Sequence, residues 1–386
     1  MGQLVRVGIT GQGGFMGSHL YNFLGTKLKK IKRIDFKRDY FEDESKLQNF
    51  VKSCDVIVHI AAMNRCENEQ VLYNTNVGLV HKLVNACEET KSIPKIIFSS
   101  STQEEIDNLY GKSKRDGRKC LEAWATNNNG QVTSLIIPNV FGPFGRPFYN
   151  SFIATFSHQI IIGNEPKVVN DSIVNLIYIN ELSEVFYSEI VRKDSENIKS
   201  HIIPHSSSHR VSEILRLLKE FKNKYFENAQ VPNVNLGSFE LDLFNTFTSF
   251  IPKDYFPRKF IKHTDERGAF VEIMRAESAG QSSYSTTVPG ITRGNHYHTR
   301  KVERFAVISG KASIQLRKVD SDEVIEYILD GEHPAYVDMP IWYTHNITNI
   351  GDTELITLFW INEPYNEEDS DTYFMKVNLD KINDLI

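Results

Sequence analysis

Tyr110 and Lys114 stand four positions apart in Tyr110-Gly111-Lys112-Ser113-Lys114, shortly after three consecutive serines, Ser99, Ser100 and Ser101. On a helix, positions i and i+4 share a face, so a phenol and an ammonium can converge. A free phenol, with a pKa of about 10, is a poor acid–base catalyst at neutral pH. A neighbouring ammonium favours the phenolate and lowers that pKa. Tyr110 is therefore expected to give a proton to a carbonyl oxygen while a hydride reaches the carbon. Ser101 is the candidate to hydrogen-bond that carbonyl. The spacing alone also fits an ordinary amphipathic helix face, so its meaning depends on the segments around it.

A hydride needs a carrier, and Thr10-Gly11-Gln12-Gly13-Gly14-Phe15-Met16-Gly17 follows the pattern TGxxGxxG between a strand-like run and a helical pattern. In such a turn Gly11 permits the tight bend, Gly14 lets the backbone approach a pyrophosphate, and Gly17 allows close helix–strand packing. The N–H groups at the start of the helix, from Phe15 and Met16 onward, then face the phosphates. Asp35 lies 18 residues beyond Gly17, where an acid commonly binds the ribose hydroxyls. Lys37 and Arg38 follow it and could pair with a 2′-phosphate. That leaves NAD(H) open while favouring NADP(H).

The elements that must hold these groups are legible as texture. Apolar, β-branched runs at 4–10, 56–60, 96–98 and 133–137 alternate with helical patterns such as 77–89 and 110–125. Alternation of that kind predicts an α/β fold of the Rossmann type, a doubly wound parallel sheet. After about residue 250 the chain reads as short strands (270–274, 304–308, 312–316, 324–329, 354–360) divided by turn signals such as Ser309-Gly310. That predicts an all-β barrel or sandwich, with domains of 1–250 and 251–386. A net charge of −5 gives no sign of a nucleic-acid partner, and no apolar run is long enough for a transmembrane helix. The four cysteines, Cys54, Cys66, Cys87 and Cys120, form no CxxC pair. This argues against a disulfide framework, and with no secretory leader in view it predicts a cytoplasmic protein.

The glycine turn, the serines and Tyr110 with Lys114 together resemble the extended short-chain dehydrogenase/reductase family. So do His59-Ile60-Ala61-Ala62, Asn76, and Pro138-Asn139-Val140-Phe141-Gly142-Pro143. The resemblance implies that Ala61, Ala62 and Asn139 border the cofactor together with Tyr110 and Lys114. Tyr110 comes only nine positions after Ser101, so the loop over the site is expected to be trimmed. Beyond it, Arg146, Tyr149 and Asn150 could hold a sugar diphosphate, or form an ordinary surface loop.

The second half carries Gly290-Ile291-Thr292-Arg293-Gly294-Asn295-His296-Tyr297-His298, then Glu303 and Gly310, and later Pro340-Ile341-Trp342-Tyr343-Thr344-His345 ending at Asn349. This resembles the cupin superfamily and its jelly-roll barrel, except that Trp342 stands where the family motif has glycine. The resemblance implies His296, His298, Glu303 and His345 as ligands of one divalent metal. His296 and His298, two apart, would point to one face of a strand. Three imidazoles and a carboxylate suit zinc best, and also iron, manganese or nickel. A metal-free reading also stands, because Arg293-Gly294-Asn295-His296 is similar to the start of a motif in sugar-nucleotide epimerases whose histidine is a base. Asp265-Glu266-Arg267-Gly268 with Phe270 and Glu272 is similar to another segment of those epimerases. Residues 362–373 do not align with the segment that bears their catalytic tyrosine, and Tyr343 is the remaining candidate.

Joined, the halves resemble the CapF-like bifunctional enzymes of bacterial capsule and surface-polysaccharide synthesis from end to end. That resemblance implies a UDP-2-acetamido-2,6-dideoxy-4-ketohexose substrate, C3 epimerisation in the cupin, NADPH-dependent reduction at C4, and a homodimer. The product would be of the 6-deoxy-L-talosamine or L-rhamnosamine type. The alternative is a reductase or epimerase with a single activity and a barrel that only binds or dimerises.

Overall fold

The computed structural model describes residues 4–193 and 196–379. They form two compact units, Met1–Thr155 with Val169–Val211, and Phe156–Val168 with Ser212–Ile386. The outermost ends of the expected domains, residues 1–3 and 380–386, lie outside the described residues.

In the first unit six strands form one parallel sheet in the order Ile31–Ile34, Val5–Thr10, Val56–His59, Lys95–Ser101, Val132–Ile137, Ile198–Ile202. Val56–His59 is buried at every position, as expected of a strand covered by helices on both faces. The helix Glu69–Thr90 packs beside Leu109–Asn128, and Leu83, Leu121 and Trp124 from this pair join Ile57, Ile96 and Phe98 in one core. This is a Rossmann-type fold, and its strands deliver Thr10, His59 and Ser101 to the same carboxyl edge, where such sheets bind ligands.

The second unit is built on two five-stranded antiparallel sheets. One has the order Arg258–Lys259, Ala335–Met339, Glu303–Ser309, Leu355–Ile361, Gln281–Thr287; the other Val324–Asp330, Lys311–Lys318, Tyr343–Asn349, Thr292–Tyr297, Tyr373–Phe374. Phe305, Val307 and Val337 from the first meet Ile314, Leu316 and Ile347 from the second in a shared core. The strand texture begins near residue 250, but the unit holding these strands also takes in the chain from Ser212 onward, together with Phe156–Val168. The reason is visible in the helical segment before it. Phe221, Tyr225, Phe244 and Phe247 form an aromatic cluster, and the Tyr225 hydroxyl donates to Asp338 on a barrel strand at 2.5 Å. No helix among the described residues is long and apolar enough to cross a membrane. All four cysteines are free.

Candidate active sites

In the first unit the glycine turn has the form its spacing predicts. Gly11 has φ +77, and a Cβ there would come within 2.8 Å of the Ala61 amide nitrogen. A Cβ on Gly17 would lie 2.1 Å from the Gly11 carbonyl oxygen. The turn closes with Gly14 N–H donating to Gly11 at 2.9 Å, and the helix Phe15–Gly25 starts there with no side chain over its first amides. Those amides can receive a phosphate. Ala61 follows the strand Val56–His59, its amide 3.5 Å from the Thr10 hydroxyl. Asn76 holds the loop after that strand, accepting from Met63 N–H at 2.6 Å and donating to Met63 O and to Ser113. Asp35 is exposed and accepts from the Tyr21 hydroxyl. Lys37 and Arg38, beside it, are exposed. Asn139 is exposed at the start of the short strand Asn139–Phe141.

Tyr110 and Lys114 sit in the first turns of Leu109–Asn128, which is capped by Asn108 accepting from Gly111 N–H at 2.7 Å. The Lys114 ammonium is buried and donates to the Ser99 carbonyl at 2.9 Å. Its nitrogen lies 5.9 Å from the centre of the Tyr110 ring. Burial pushes the lysine down to about 8. The expected lowering of the Tyr110 pKa is not what this geometry yields: burial first, and then the nearby Tyr149 phenol, push Tyr110 up to about 12. Tyr110 is thus a phenol carrying its proton, the form a reductase needs as general acid. Ser101 is half-buried and accepts from Gln103 N–H at 3.2 Å. The serine strand is braced by a group the spacing did not reveal. Glu104, buried, accepts from the Ser100 hydroxyl and from the Arg118 guanidinium, the latter at 2.8 Å. Arg146 lies 5.3 Å from the Tyr149 ring centre, and the Tyr149 carbonyl is 3.5 Å from Arg65. Asn150 is exposed.

In the second unit His296, His298, Glu303 and His345 come together, with one ligand atom from each within 4.8 Å of the others. His296 is the next-to-last residue of the strand Thr292–Tyr297, with His298 just beyond its end, and pairs with His345 on Tyr343–Asn349; Glu303 begins Glu303–Ser309. The Nε2 atoms of His298 and His345 each lie 3.2 Å from the same Glu303 oxygen. None of these three buried atoms has an aligned hydrogen bond. Buried donor atoms aimed at one point without mutual hydrogen bonds are what a divalent cation would satisfy, so the residues fit a metal. The charges agree. Burial opposes ionisation of Glu303, yet His298 and His345 hold it well below the carboxylate range. Burial, then His345 and His298, push His296 down to about 4, which leaves it neutral and able to ligate. Burial works against charge on His298 too, but Glu303 and Asp371 outweigh it and raise its pKa.

Trp342, where the motif has glycine, adopts φ +63. Glycine is the usual residue for that conformation, and here a buried tryptophan bears it while its main-chain N–H donates to the His298 carbonyl at 2.8 Å. Asn349 locks the far end of the motif by donating to Thr287 and Thr353 carbonyls. Tyr343 is two positions from His345 on the same strand and packs, half-buried, against the barrel core. Asp265 and Arg267 pair with each other on an exposed hairpin, and His263 and His333 are exposed.

The NAD dependent epimerase/dehydratase family model matches residues 7–201, and that of the polysaccharide biosynthesis C-terminal domain matches residues 263–373. The chain is 32% identical to the UDP-2-acetamido-2,6-beta-L-arabino-hexul-4-ose reductase of Pseudomonas aeruginosa over 97% of its own length and 99% of that protein. It is 27% identical to the spore coat polysaccharide biosynthesis protein SpsL of Bacillus subtilis, over 30% of this chain and 82% of that one. Among solved structures, the capsular polysaccharide assembling protein CapF from Staphylococcus aureus matches with a TM-score of 0.61 and 32% identity, over 96% of this chain and all of that one.

Proposed function

The chain belongs to the NAD dependent epimerase/dehydratase family and is related along its length to CapF, and from that premise we propose a bifunctional nucleotide-sugar enzyme that epimerises and then reduces one 4-keto sugar for polysaccharide synthesis. The observation that carries the reading is that one chain holds both a Ser101, Tyr110, Lys114 set and a convergent His296, His298, Glu303, His345 cluster. The substrate is a UDP-activated 2-acetamido-2,6-dideoxy-4-ketohexose, the class that the name of the Pseudomonas relative supports.

Chemistry sets the order of the two steps. The C3 proton is acidic only while C4 is a ketone, because the carbanion is then an enolate. Reduction removes that activation, so epimerisation comes first. The cupin-like barrel, residues 251–386, performs it. His296, His298, Glu303 and His345 hold a divalent metal there, zinc by donor set. When bound, that metal supplies Lewis acidity toward a substrate oxygen. Tyr343, whose pKa burial raises, is the candidate to give the proton back.

The reductase set lies in residues 1–250. Gly11, Gly14, Phe15, Met16, Gly17, Ala61, Ala62 and Asn139 border the dinucleotide, and Lys37 and Arg38 favour NADPH over NADH by pairing with a 2′-phosphate. NADPH supplies the hydride. Tyr110 delivers a proton to the C4 oxygen, Ser101 orients that oxygen, and Lys114 supplies positive charge beneath it. Arg146, Tyr149 and Asn150 hold the diphosphate side. The working state is a homodimer in the cytoplasm, which sedimentation and cell fractionation test.

Incubation of the 4-keto sugar nucleotide in deuterated water without NADPH tests the assignment. Deuterium is expected at C3, and its appearance is expected to stop in His296→Ala. If no deuterium enters while NADPH is still oxidised, the protein is a reductase carrying a binding barrel.

A further inference from the structure

The segment 362–374 lies as a strap along the turn that joins His298 to Glu303. Asn362 accepts from Val302 N–H at 3.0 Å and returns a bond to its carbonyl. Glu363, buried, receives the fully buried Lys301 ammonium at 3.2 Å and the Arg300 guanidinium at 3.1 Å. Asp369 holds the outer side of Arg300 at 2.8 Å. The strap then enters the sheet, where Tyr373 and Phe374 pair with Tyr297 and His296.

Asp371 is the point where the strap meets a ligand. Its main-chain carbonyl accepts from His298 Nδ1 at 2.6 Å. That bond puts the proton on Nδ1 and leaves the Nε2 lone pair directed at Glu303 and His345. Asp371 is 4% exposed, and its carboxylate accepts from the amides of Thr299, Arg300 and Lys301 at 3.0–3.2 Å and from the Thr299 hydroxyl at 2.7 Å. Three successive amides converging on one carboxylate fix the turn that follows His298. Asp371 itself adopts φ +44, a conformation that aspartate tolerates better than most residues.

We propose that Asp371 is the positioning residue of this centre: its carbonyl sets the His298 ring and its carboxylate holds the turn, so that His298 and Glu303 meet the metal preformed. The proposal rests on reading the four-residue cluster as a metal site. Outer partners of ligating histidines commonly govern affinity by about 10- to 100-fold.

The test uses the full chain loaded with zinc or cobalt(II). Asp371→Gly keeps both the carbonyl and the left-handed backbone, so any loss belongs to the carboxylate. Its zinc affinity, measured by chelator competition, is expected to fall about 10- to 100-fold, and the cobalt(II) absorption bands to lose intensity as His298 leaves its place. Asp371→Asn, with one acceptor oxygen left, is expected to give an intermediate affinity. Wild-type affinity and cobalt spectrum in a folded Asp371→Gly overturn the proposal. If that variant does not fold, Thr299→Val decides: it removes one bond to the carboxylate and is expected to weaken zinc several-fold, and no change overturns the proposal. Failure of the wild-type chain to bind more zinc than Glu303→Gln sinks the metal reading itself, a separate result.

Discussion

The buried Lys114 ammonium donates to the main-chain carbonyl of Ser99 at 2.9 Å, so the strand that ends in the serines and the helix that carries Tyr110 are tied by a charged hydrogen bond. Burial holds Lys114 down to about 8 and Tyr110 up to about 12. Below pH 8 the lysine is charged and the tyrosine holds its proton, the state in which Tyr110 can act as acid. Above pH 8 the lysine loses its charge first. NADPH oxidation, as kcat/KM, is therefore expected to be flat at lower pH and to fall above about 8. In Lys114→Arg that limb should move out of range, because a guanidinium keeps its charge. A limb left in place assigns the titration elsewhere.

Tyr110→Phe removes the transferable proton and leaves the ring. NADPH oxidation is expected to drop about 10²- to 10⁴-fold, the usual worth of a positioned general acid. Deuterium incorporation at C3 should continue at the wild-type rate. Loss of both activities together would mean that Tyr110 serves both steps.

Much of this was legible where one element sets the geometry. TGxxGxxG, YxxxK and the paired histidines each depend on a few neighbouring residues, and the helix or strand period carries the rest. The groups that sequence reasoning missed are joined across long separations. Glu104 meets Arg118 fourteen residues on, and Asp371 reaches His298 across 73 residues. No period marks such pairs, because tertiary packing alone brings them together. Tyr110 shows a different limit. Spacing revealed its neighbour, but burial, which spacing does not report, decides the direction of its pKa.

The Tyr21 hydroxyl donates to Asp35, the residue expected to favour the unphosphorylated ribose. An aspartate held this way presents less free charge to a 2′-phosphate, and exposed Lys37 and Arg38 stand beside it. Charge-assisted bonds contribute about 1.5–3 kcal/mol each, and 1.4 kcal/mol is about tenfold. Arg38→Ala or Lys37→Ala should raise KM for NADPH by about tenfold or more with little change for NADH. Tyr21→Phe should shift preference the same way by freeing Asp35. Initial rates with both cofactors decide it.

Zinc that binds the folded chain alone stabilises it by mass action, by about 4 kcal/mol at a thousandfold excess over Kd. Thermal unfolding should therefore move upward with zinc and downward with a chelator. In His345→Ala, where a ligand from the opposing strand is lost, the zinc-dependent shift should largely vanish. A chelator-insensitive Tm in the wild-type chain would favour the metal-free reading of the cluster.

Arg304 and Asp338 are 3% and 5% exposed and form a bidentate pair at 2.7 and 2.9 Å. The Arg304 guanidinium lies 3.8 Å from the Tyr336 ring centre, and Tyr225 donates to the same carboxylate at 2.5 Å. Asp338→Asn leaves a buried guanidinium without its counter-charge, which costs about 3–5 kcal/mol. At roughly 2–4 °C per kcal/mol for a domain of this size, the Tm of the second unit should fall by about 6–20 °C. Replacing both charges by apolar residues of similar volume, Arg304→Met with Asp338→Leu, should cost less than the single change, because no orphaned charge remains. A double variant less stable than Asp338→Asn would show that the pair contributes more than the desolvation it overcomes.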